Sequence, residues 1–541
     1  MRNFIVYLVC AAIFLAAQMF QGLSFLDIGM YLSGCEWLAD APLAVYYLCN
    51  WLMTFRVTTF FMNVFSCDSF FALRVFHLVY VLVTQVAVFM YCRKYIPEKI
   101  IILGLALATL AHFGAYTEIN YNDYTIALLT VAVMMYHETV RRESSLFLMG
   151  SGMVIAVSFF FRIVNISFIL LPLWYGAYVL CTKAQSLRQV ALQCWWFGCG
   201  VALGTVMMLG IIYADGMMPA FSLLVSDLAV MGGDSSDPHS PVVVIVSFFN
   251  LHLGEVKSIS VVLLIFLLLL WVNTRAKSRK KQAANIMLGL MLVFNMRYMD
   301  PPSNYTVGLC ILAFLLVLTV SRVSDEIKRL YVLAFFIPLL MPLGSNAEPE
   351  FYGKDLCFLT LPLALYVINT EVMRHKAWRI SALTCLMALC AGFLLTNLTR
   401  HMMEEANRLR CLYGVAPPKA HCILTNRENA DLNNKLFHDL RPLIEDGSYM
   451  YCDFSPTVVP LLNCRPYAVF STVFTSNTMN GRYIDVAHGA TLKLPLMLLR
   501  KDNDEPRRRH VVDCLKRKSR YGKIWEDDDY VLLKPIAYPC R

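Results

Sequence analysis

Residues 258–281 read SISVVLLIFLLLLWVNTRAKSRKK. The first sixteen positions, 258–273, carry no charge, and five basic residues fall within 275–281. An apolar stretch of roughly this length crosses a ~30 Å hydrocarbon layer. A basic cluster straight after it marks the end held on the cytoplasmic side. The same unit recurs along the chain. Apolar runs fall at about 3–20, 73–92, 100–116, 123–140, 145–161, 163–181, 190–213, 258–273, 284–298, 304–320, 330–344, 356–369 and 380–397. That is thirteen candidate spans.

The 541 residues would suffice for three or four soluble domains. Composition excludes that reading: 58% are hydrophobic and only 16% charged, against about 25% charged in an ordinary soluble domain. Fibrous and disordered classes are excluded on the same ground. The formal net charge of +9 does not point to nucleic acid, because the basic residues follow the span pattern. With a cytoplasmic N-terminus, the cytoplasmic joints hold 19 Lys and Arg. The opposite joints hold six: Arg56, Arg74, Arg162, Lys257, Arg297 and Lys354. This is the positive-inside arrangement. An odd span count then puts the C-terminal segment outside. Acidic residues lean the other way, 15 on the outer side against 6. Polar chemistry is therefore expected on the outer face. The first run has Arg2 before an apolar core but no clear cleavage site, so a retained helix is expected.

Within residues 1–397, the outer joints include two long loops, 21–72 and 214–257. In the first, Ile28, Tyr31, Leu32, Cys35, Leu38 and Ala39 fall at helical spacing. So do Leu43, Tyr46, Tyr47, Asn50, Trp51 and Thr54, with Pro42 between the two sets. Two amphipathic helices in the interface are expected. The second loop, with Gly232, Gly233, Asp234 and Pro238, reads as flexible.

Residues 398–541 change in character and are long enough for one small soluble domain. Helix signals cover about 426–444 and 509–518. Strand signals cover about 449–454, 467–473, 494–499, 523–525 and 530–534. A small α/β or α+β domain is expected. Its basic stretch, from Arg507 to Arg520, suits anionic headgroups, an anionic substrate or plain solvent. Six of the eighteen cysteines lie here, and disulfides are an open option in an oxidising compartment. The chain has no GxxxxGK[ST], no GxGxxG after a strand, no HExxH and no GxSxG.

The first outer loop carries Asp27-Ile28-Gly29-Met30-Tyr31-Leu32, then Leu38-Ala39-Asp40-Ala41-Pro42, and later Ser69-Phe70-Phe71-Ala72-Leu73-Arg74. Thr117-Glu118-Ile119-Asn120-Tyr121-Asn122-Asp123 separates the third and fourth spans. Phe161-Arg162-Ile163-Val164-Asn165 and Tyr352-Gly353-Lys354-Asp355 follow in order. This series resembles the GT-C superfamily of membrane glycosyltransferases, in particular bacterial relatives of the aminoarabinose transferases and the protein O-mannosyltransferases. Where many relatives have Lys-Pro after the first juxtamembrane helix, this chain has Ala41-Pro42. The resemblance implies a mainly α, polytopic bundle of GT-C type in a bacterial inner membrane, with a periplasmic C-terminal domain. It also implies a hexosyl or pentosyl transfer from a polyprenyl-phosphate donor to a lipid, glycan or protein acceptor.

The chemistry stands beside that resemblance. An outer-face enzyme has no nucleotide-sugar supply, so its donor arrives on a lipid. Transfer needs a carboxylate to accept the acceptor hydroxyl proton and cations to stabilise the departing phosphate. Asp27, beside a span end, is the first candidate base, and it would equally serve as a helix N-cap. Asp123 and Glu118 are the alternatives; Asp123 would also cap a span, and Glu118 would also suit water. Tyr31, Asp40, Arg74, Arg162, Arg297 and Lys354 are candidate substrate contacts. For the basic four, snorkelling to the interface is the competing role. No cofactor is called for, although a divalent metal could join paired carboxylates. Two other functions fit a polytopic chain: a lipid-linked saccharide transporter or flippase, and an O-antigen-type ligase or polymerase. No internal repeat is visible, and charges sit at span ends rather than centres, which argues against a transport path.

The charge asymmetry yields a direct expectation. A reporter active only in the periplasm, fused after Arg541, is active, and its cytoplasmic counterpart is silent. The opposite pattern overturns the topology.

Overall fold

A computed structural model describes residues 1–23, 27–37, 52–111, 118–219, 221–222, 225, 241–275, 278–298, 302–319, 322–343, 357–372, 375–399, 407–467, 481, 484–489 and 493–536. Each of the thirteen apolar runs falls on a helix. These are α1 (Arg2–Met19), α4 (Phe70–Cys92), α5 (Glu98–Ala111), α6 (Tyr121–Arg142), α7 (Ser145–Phe159), α8 (Leu171–Cys181, entered by a 3-10 turn Ile163–Leu170), α9 (Leu187–Ala214), α10 (Pro241–Arg275), α11 (Ser278–Tyr298), α12 (Pro302–Thr319), α13 (Asp325–Leu340), α14 (Thr360–Val372) and α15 (Lys376–Thr399). Among the described residues, seven helical segments are long and apolar enough to cross a membrane by length and composition. They are α1, α4, the 163–181 segment, α9, α10, α12 and α15. The others are shorter or carry more polar groups. α13 is buried over Leu330–Pro338, as expected of a helix that is hydrophobic all round.

Local signals set several starts. Ser69 caps α4 by accepting from the Ala72 N–H, and Ser186 with Gln189 forms a capping box on α9. α1 is packed into the bundle: Phe4 stacks on Phe89 with centroids 3.6 Å apart. Tyr7 donates to Gln85 at 2.8 Å.

Two helices, α2 (Asp27–Trp37) and α3 (Leu52–Phe65), lie between α1 and α4. α2 matches the first expected interfacial helix. The second was expected over about 43–54; residues 38–51 lie outside the described residues, and the observed helix runs on to Phe65. We call this end of the bundle the outer end, after the charge pattern.

α10 differs from the sequence reading, which left 214–257 as loop. Its 35 residues span about 52 Å at 1.5 Å per residue, well beyond a ~30 Å core. The polar stretch Asn250–Glu255 resembled a loop because its charges interrupt the apolar run. In three dimensions His252 and Glu255 pair within the helix, and Glu255 is fully buried. His252 and Glu255 face protein rather than water, while Asn250 is exposed.

The C-terminal unit is a five-stranded mixed sheet, from β3 (Tyr449–Cys452), β4 (Arg465–Pro466), β5 (Leu496–Arg500), β6 (Tyr521–Glu526) and β7 (Tyr530–Pro535), in the order β4-β3-β5-β7-β6. β3 is parallel to β4 and β5, and β7 is antiparallel to β5 and β6. A separate two-stranded ribbon pairs β1 (Tyr413–Gly414) with β2 (Leu424–Thr425). Alternation along the strands sorts the core. Met450, Cys452 and Leu498 pack on α16 (Arg427–Leu440) through Leu436 and Leu440. Tyr451 and Met497 pack on α18 (Pro506–Lys518) through Val511 and Leu515. The sixteen described cysteines are all free thiols. The expected strand over 467–473 lies mostly outside the described residues.

This unit is docked on the outer end. The Gly22 N–H donates to Leu424 O at 2.8 Å, and the Leu424 N–H donates to Phe20 O at 2.7 Å. Lys419 pairs with Glu36, near the end of α2, at 2.5 Å. Burial pushes the Glu36 carboxyl up, and the Lys419 ammonium only partly offsets this. Gly29 lies against α17 (Val458–Leu461) and the residues before it: a Cβ there would stand 2.2 Å from Thr457 Cα. Gly29→Ala therefore costs about 1–3 kcal/mol, the usual penalty of overpacking. A lower melting temperature and faster limited proteolysis of the full chain are expected. Unchanged values would show that α2 and this unit are not in tight contact.

Candidate functional site at the outer end

α4 presents Arg74 and His77, about one turn apart, to the segment that enters α6. Arg74 Nε donates to Glu118 Oε1 at 2.7 Å, and Nη2 lies 2.6 Å from the same oxygen. Arg74 Nη1 donates to Met19 O at 2.7 Å and Gln21 O at 3.3 Å, and Nη2 to Gly22 O at 2.5 Å. The pair is 1% and 0% exposed. Arg74 thus ties the C-terminal carbonyls of α1 to Glu118. The Ile119 N–H, donating to Leu73 O at 3.1 Å, fixes the same segment by its backbone.

Asp123 occupies the third position of α6. Its Oδ2 accepts from the Asn120 N–H at 3.0 Å, while Asn120 Oδ1 accepts from the Asn122 N–H at 2.8 Å. This is a capping box, so the cap expected from the sequence is present. The same Oδ2 lies 3.0 Å from His77 Nδ1. Asp123 is thus both a cap and one half of a buried His–carboxylate pair.

Tyr31 on α2 is buried, with its ring 6.1 Å from Tyr121 at the start of α6 and 6.0 Å from Phe55 of α3. Arg162, just before the 3-10 turn into α8, lies over the same Tyr121 ring at 5.5 Å. Its Nη1 donates to Met341 O at 3.3 Å. Tyr31, Tyr121 and Arg162 therefore meet at the outer end. Asp27 opens α2, four positions before Tyr31; its side chain lies outside the described residues, as do Asp40 and Lys354 entirely. Arg297 ends α11, where Nη2 donates to Thr399 O at 2.8 Å and the guanidinium lies 5.1 Å from the Tyr298 ring. No described contact joins it to the Tyr31 group.

Sequence reasoning passed over His77, the His252–Glu255 pair and Arg408. His252 Nδ1 lies 2.6 Å from Glu255 Oε2, and Nε2 lies 3.0 Å from Leu339 O. A lone His in an apolar run and an Arg beyond the last span gave no motif to read. Among the described residues, no group of three or more His, Cys, Asp or Glu is arranged to hold a metal ion. A cavity of about 160 Å³ lies toward the cytoplasmic ends, lined by residues such as Ile100, Leu103, Phe266, Leu312, Ile368 and Leu386. Its walls suit hydrocarbon, and it is remote from these polar groups.

No family model and no curated protein matches the chain. Among solved structures it is similar to the crystal structure of ArnT from Cupriavidus metallidurans bound to undecaprenyl phosphate, with 12% identity, a TM-score of 0.45 and 98% of each chain covered.

The Arg74–Glu118 pair makes a stability prediction. Removing one partner of a buried pair strands the other charge, at about 3–5 kcal/mol. Glu118→Ala should melt well below the wild type. Arg74→Met combined with Glu118→Leu should recover much of that loss. Equal melting of Glu118→Ala and wild type would mean that the pair contributes nothing.

Proposed function

We propose that this chain is an integral-membrane glycosyltransferase that moves a sugar from a polyprenyl-phosphate carrier to a lipid, glycan or protein acceptor on the outer face. The observation that carries this reading is the meeting of Tyr31, Tyr121 and Arg162 at one end of a membrane-spanning bundle, beneath a docked soluble unit. A site at that end of the bundle would lie where a lipid carrier from the bilayer and an acceptor from water can meet. The order of the Asp27, Arg74, Glu118, Asp123, Arg162 and Lys354 motifs along the sequence supports the same reading.

In the proposed reaction Asp27 takes the acceptor hydroxyl proton. The acceptor oxygen attacks the anomeric carbon, the carbon–oxygen bond to phosphate breaks, and polyprenyl phosphate leaves with its electron pair. One carboxylate is enough for such an inverting displacement. Arg162, Arg297 and Lys354 are the proposed cations for the departing phosphate, and Tyr31 and Asp40 the proposed contacts near the acceptor. Arg74 and Glu118 hold each other, so their part is to shape the floor of the site. Asp123 with His77 fixes the start of α6 and stands as the reserve base.

Asp27→Asn tests this directly. Asn caps a helix about as well as Asp, so expression and melting should stay near wild type. Loss of a general base costs on the order of 10²- to 10⁴-fold in rate. Transfer from a polyprenyl-linked sugar, followed with a radiolabelled donor in proteoliposomes, should fall by that much. Retention of more than about a tenth of the rate would make Asp27 a cap.

A further inference from the structure

The last described turn before the C-terminal unit, Arg408–Arg410, packs on the end of α15. Arg408 is 3% exposed. Its Nε and Nη1 are buried and have no hydrogen-bond partner. This is unlike Arg74 close by, whose three nitrogens are all engaged. Arg408 lies within electrostatic reach of both members of the Arg74–Glu118 pair. Burial, then Arg74, pushes its guanidinium down to about 10, so it remains a cation at neutral pH. Among the described residues, two guanidinium groups and one carboxylate leave this buried cluster with one net positive charge. Glu118 already serves Arg74.

Other polar atoms at the outer span ends are also under-used. Ser303 Oγ, Asn304 Oδ1, Thr396 Oγ1, Asn397 Oδ1 and Asn407 Oδ1 are likewise buried and have no hydrogen-bond partner. They lie at the outer ends of α12 and α15 and in the turn beyond. Asn397 Nδ2 donates to Leu110 O at 2.6 Å, at the outer end of α5, eight residues before Glu118. Buried polar groups in native proteins are nearly always satisfied. The two hydroxyls can donate to the oxygens of a ligand, the three amide oxygens can only accept, as from a sugar hydroxyl, and the unmatched donors of Arg408 call for an anion.

We propose that Arg408 is a binding residue for a phosphate group, the headgroup of a polyprenyl phosphate held at the outer ends of α5, α12 and α15. A phosphate supplies acceptors for Nε and Nη1 and neutralises the excess charge. Its depth, at the end of the spans, is that of a lipid headgroup. The proposal draws its lipid from the glycosyltransferase reading and adds a contact from the segment that joins the bundle to the soluble unit.

A buried cation kept only for structure and one kept for a ligand behave in opposite ways when replaced. An unpaired buried charge weakens the ligand-free fold, so an apolar side chain of similar length should be neutral or stabilising. The full chain in nanodiscs is compared with Arg408→Met for melting temperature without ligand, and for affinity toward a polyprenyl phosphate, the matching polyprenol and inorganic phosphate. The expected result is ligand-free melting at or above wild type, and polyprenyl-phosphate affinity at least about thirtyfold weaker, the loss typical of truncating one side of a buried charge pair. Polyprenol binding should be the same in both. Equal polyprenyl-phosphate affinity in wild type and Arg408→Met overturns the proposal. So does a wild type that binds polyprenol as tightly as the phosphate. Arg408-dependent binding of inorganic phosphate that exceeds the lipid's retains the anion site and overturns the lipid source. Should Arg408→Met not fold, Arg408→Lys serves: it keeps the charge but withdraws the fixed donors, and unchanged lipid affinity again overturns the proposal. A wild type that binds through Arg408 yet transfers no sugar would remove the enzyme reading and leave this site standing.

Discussion

The buried ion pair between Arg74 and Glu118 governs the outer end of this protein. Its guanidinium holds three carbonyls at the end of α1 and the carboxylate that precedes α6. Three chain segments are thereby fixed relative to one another. In an apolar surround the carbonyls at a helix end must find donors. Arg74 supplies them from the side of α4, and Glu118 supplies the balancing charge. The start of α6 follows from this, because its cap begins two residues after Glu118.

A second constraint acts from the water side. The soluble unit grips the residues around α2 at three points: the backbone exchange of Phe20 and Gly22 with Leu424, the close approach at Gly29, and the Lys419–Glu36 pair. A short helix of eleven residues is marginal alone. Clamped between the bundle and the sheet unit, it presents Tyr31 to Tyr121 in a fixed position. The soluble unit is therefore part of the site's construction. Its cost is visible at Glu36, where burial outweighs the attraction of the ammonium.

Polar groups inside the bundle are unevenly used. Arg74, Asp123 and Arg162 have protein partners, whereas the ends of α12 and α15 and the turn at Arg408 keep several buried atoms unsatisfied. The first set builds the outer end. Apolar walls elsewhere, such as the small cavity near Phe266, can receive only hydrocarbon.

Hydrophobic runs determined much of the architecture by themselves. Each of the thirteen coincides with a helix, and the strand signals beyond residue 440 located β3, β5, β6 and β7 but not β4, which ends just before the expected 467–473. Such signals are local: a residue's neighbours within one turn or one strand decide them. The reading failed at α10, where His252 and Glu255 resembled solvent-facing residues until their partner elements were in place. The sequence also marked Asp27, Tyr31, Glu118, Asp123 and Arg162 as chemistry on one face of the membrane. It could not say that Arg74 closes on Glu118 across 44 positions, that His77 finds Asp123 across 46, or that Arg408 comes to rest beside them from beyond the last span. Those pairings depend on which helices become neighbours. Only the packed tertiary structure decides that, because the energy of a buried charge is set by what surrounds it in space and not by what precedes it in the chain.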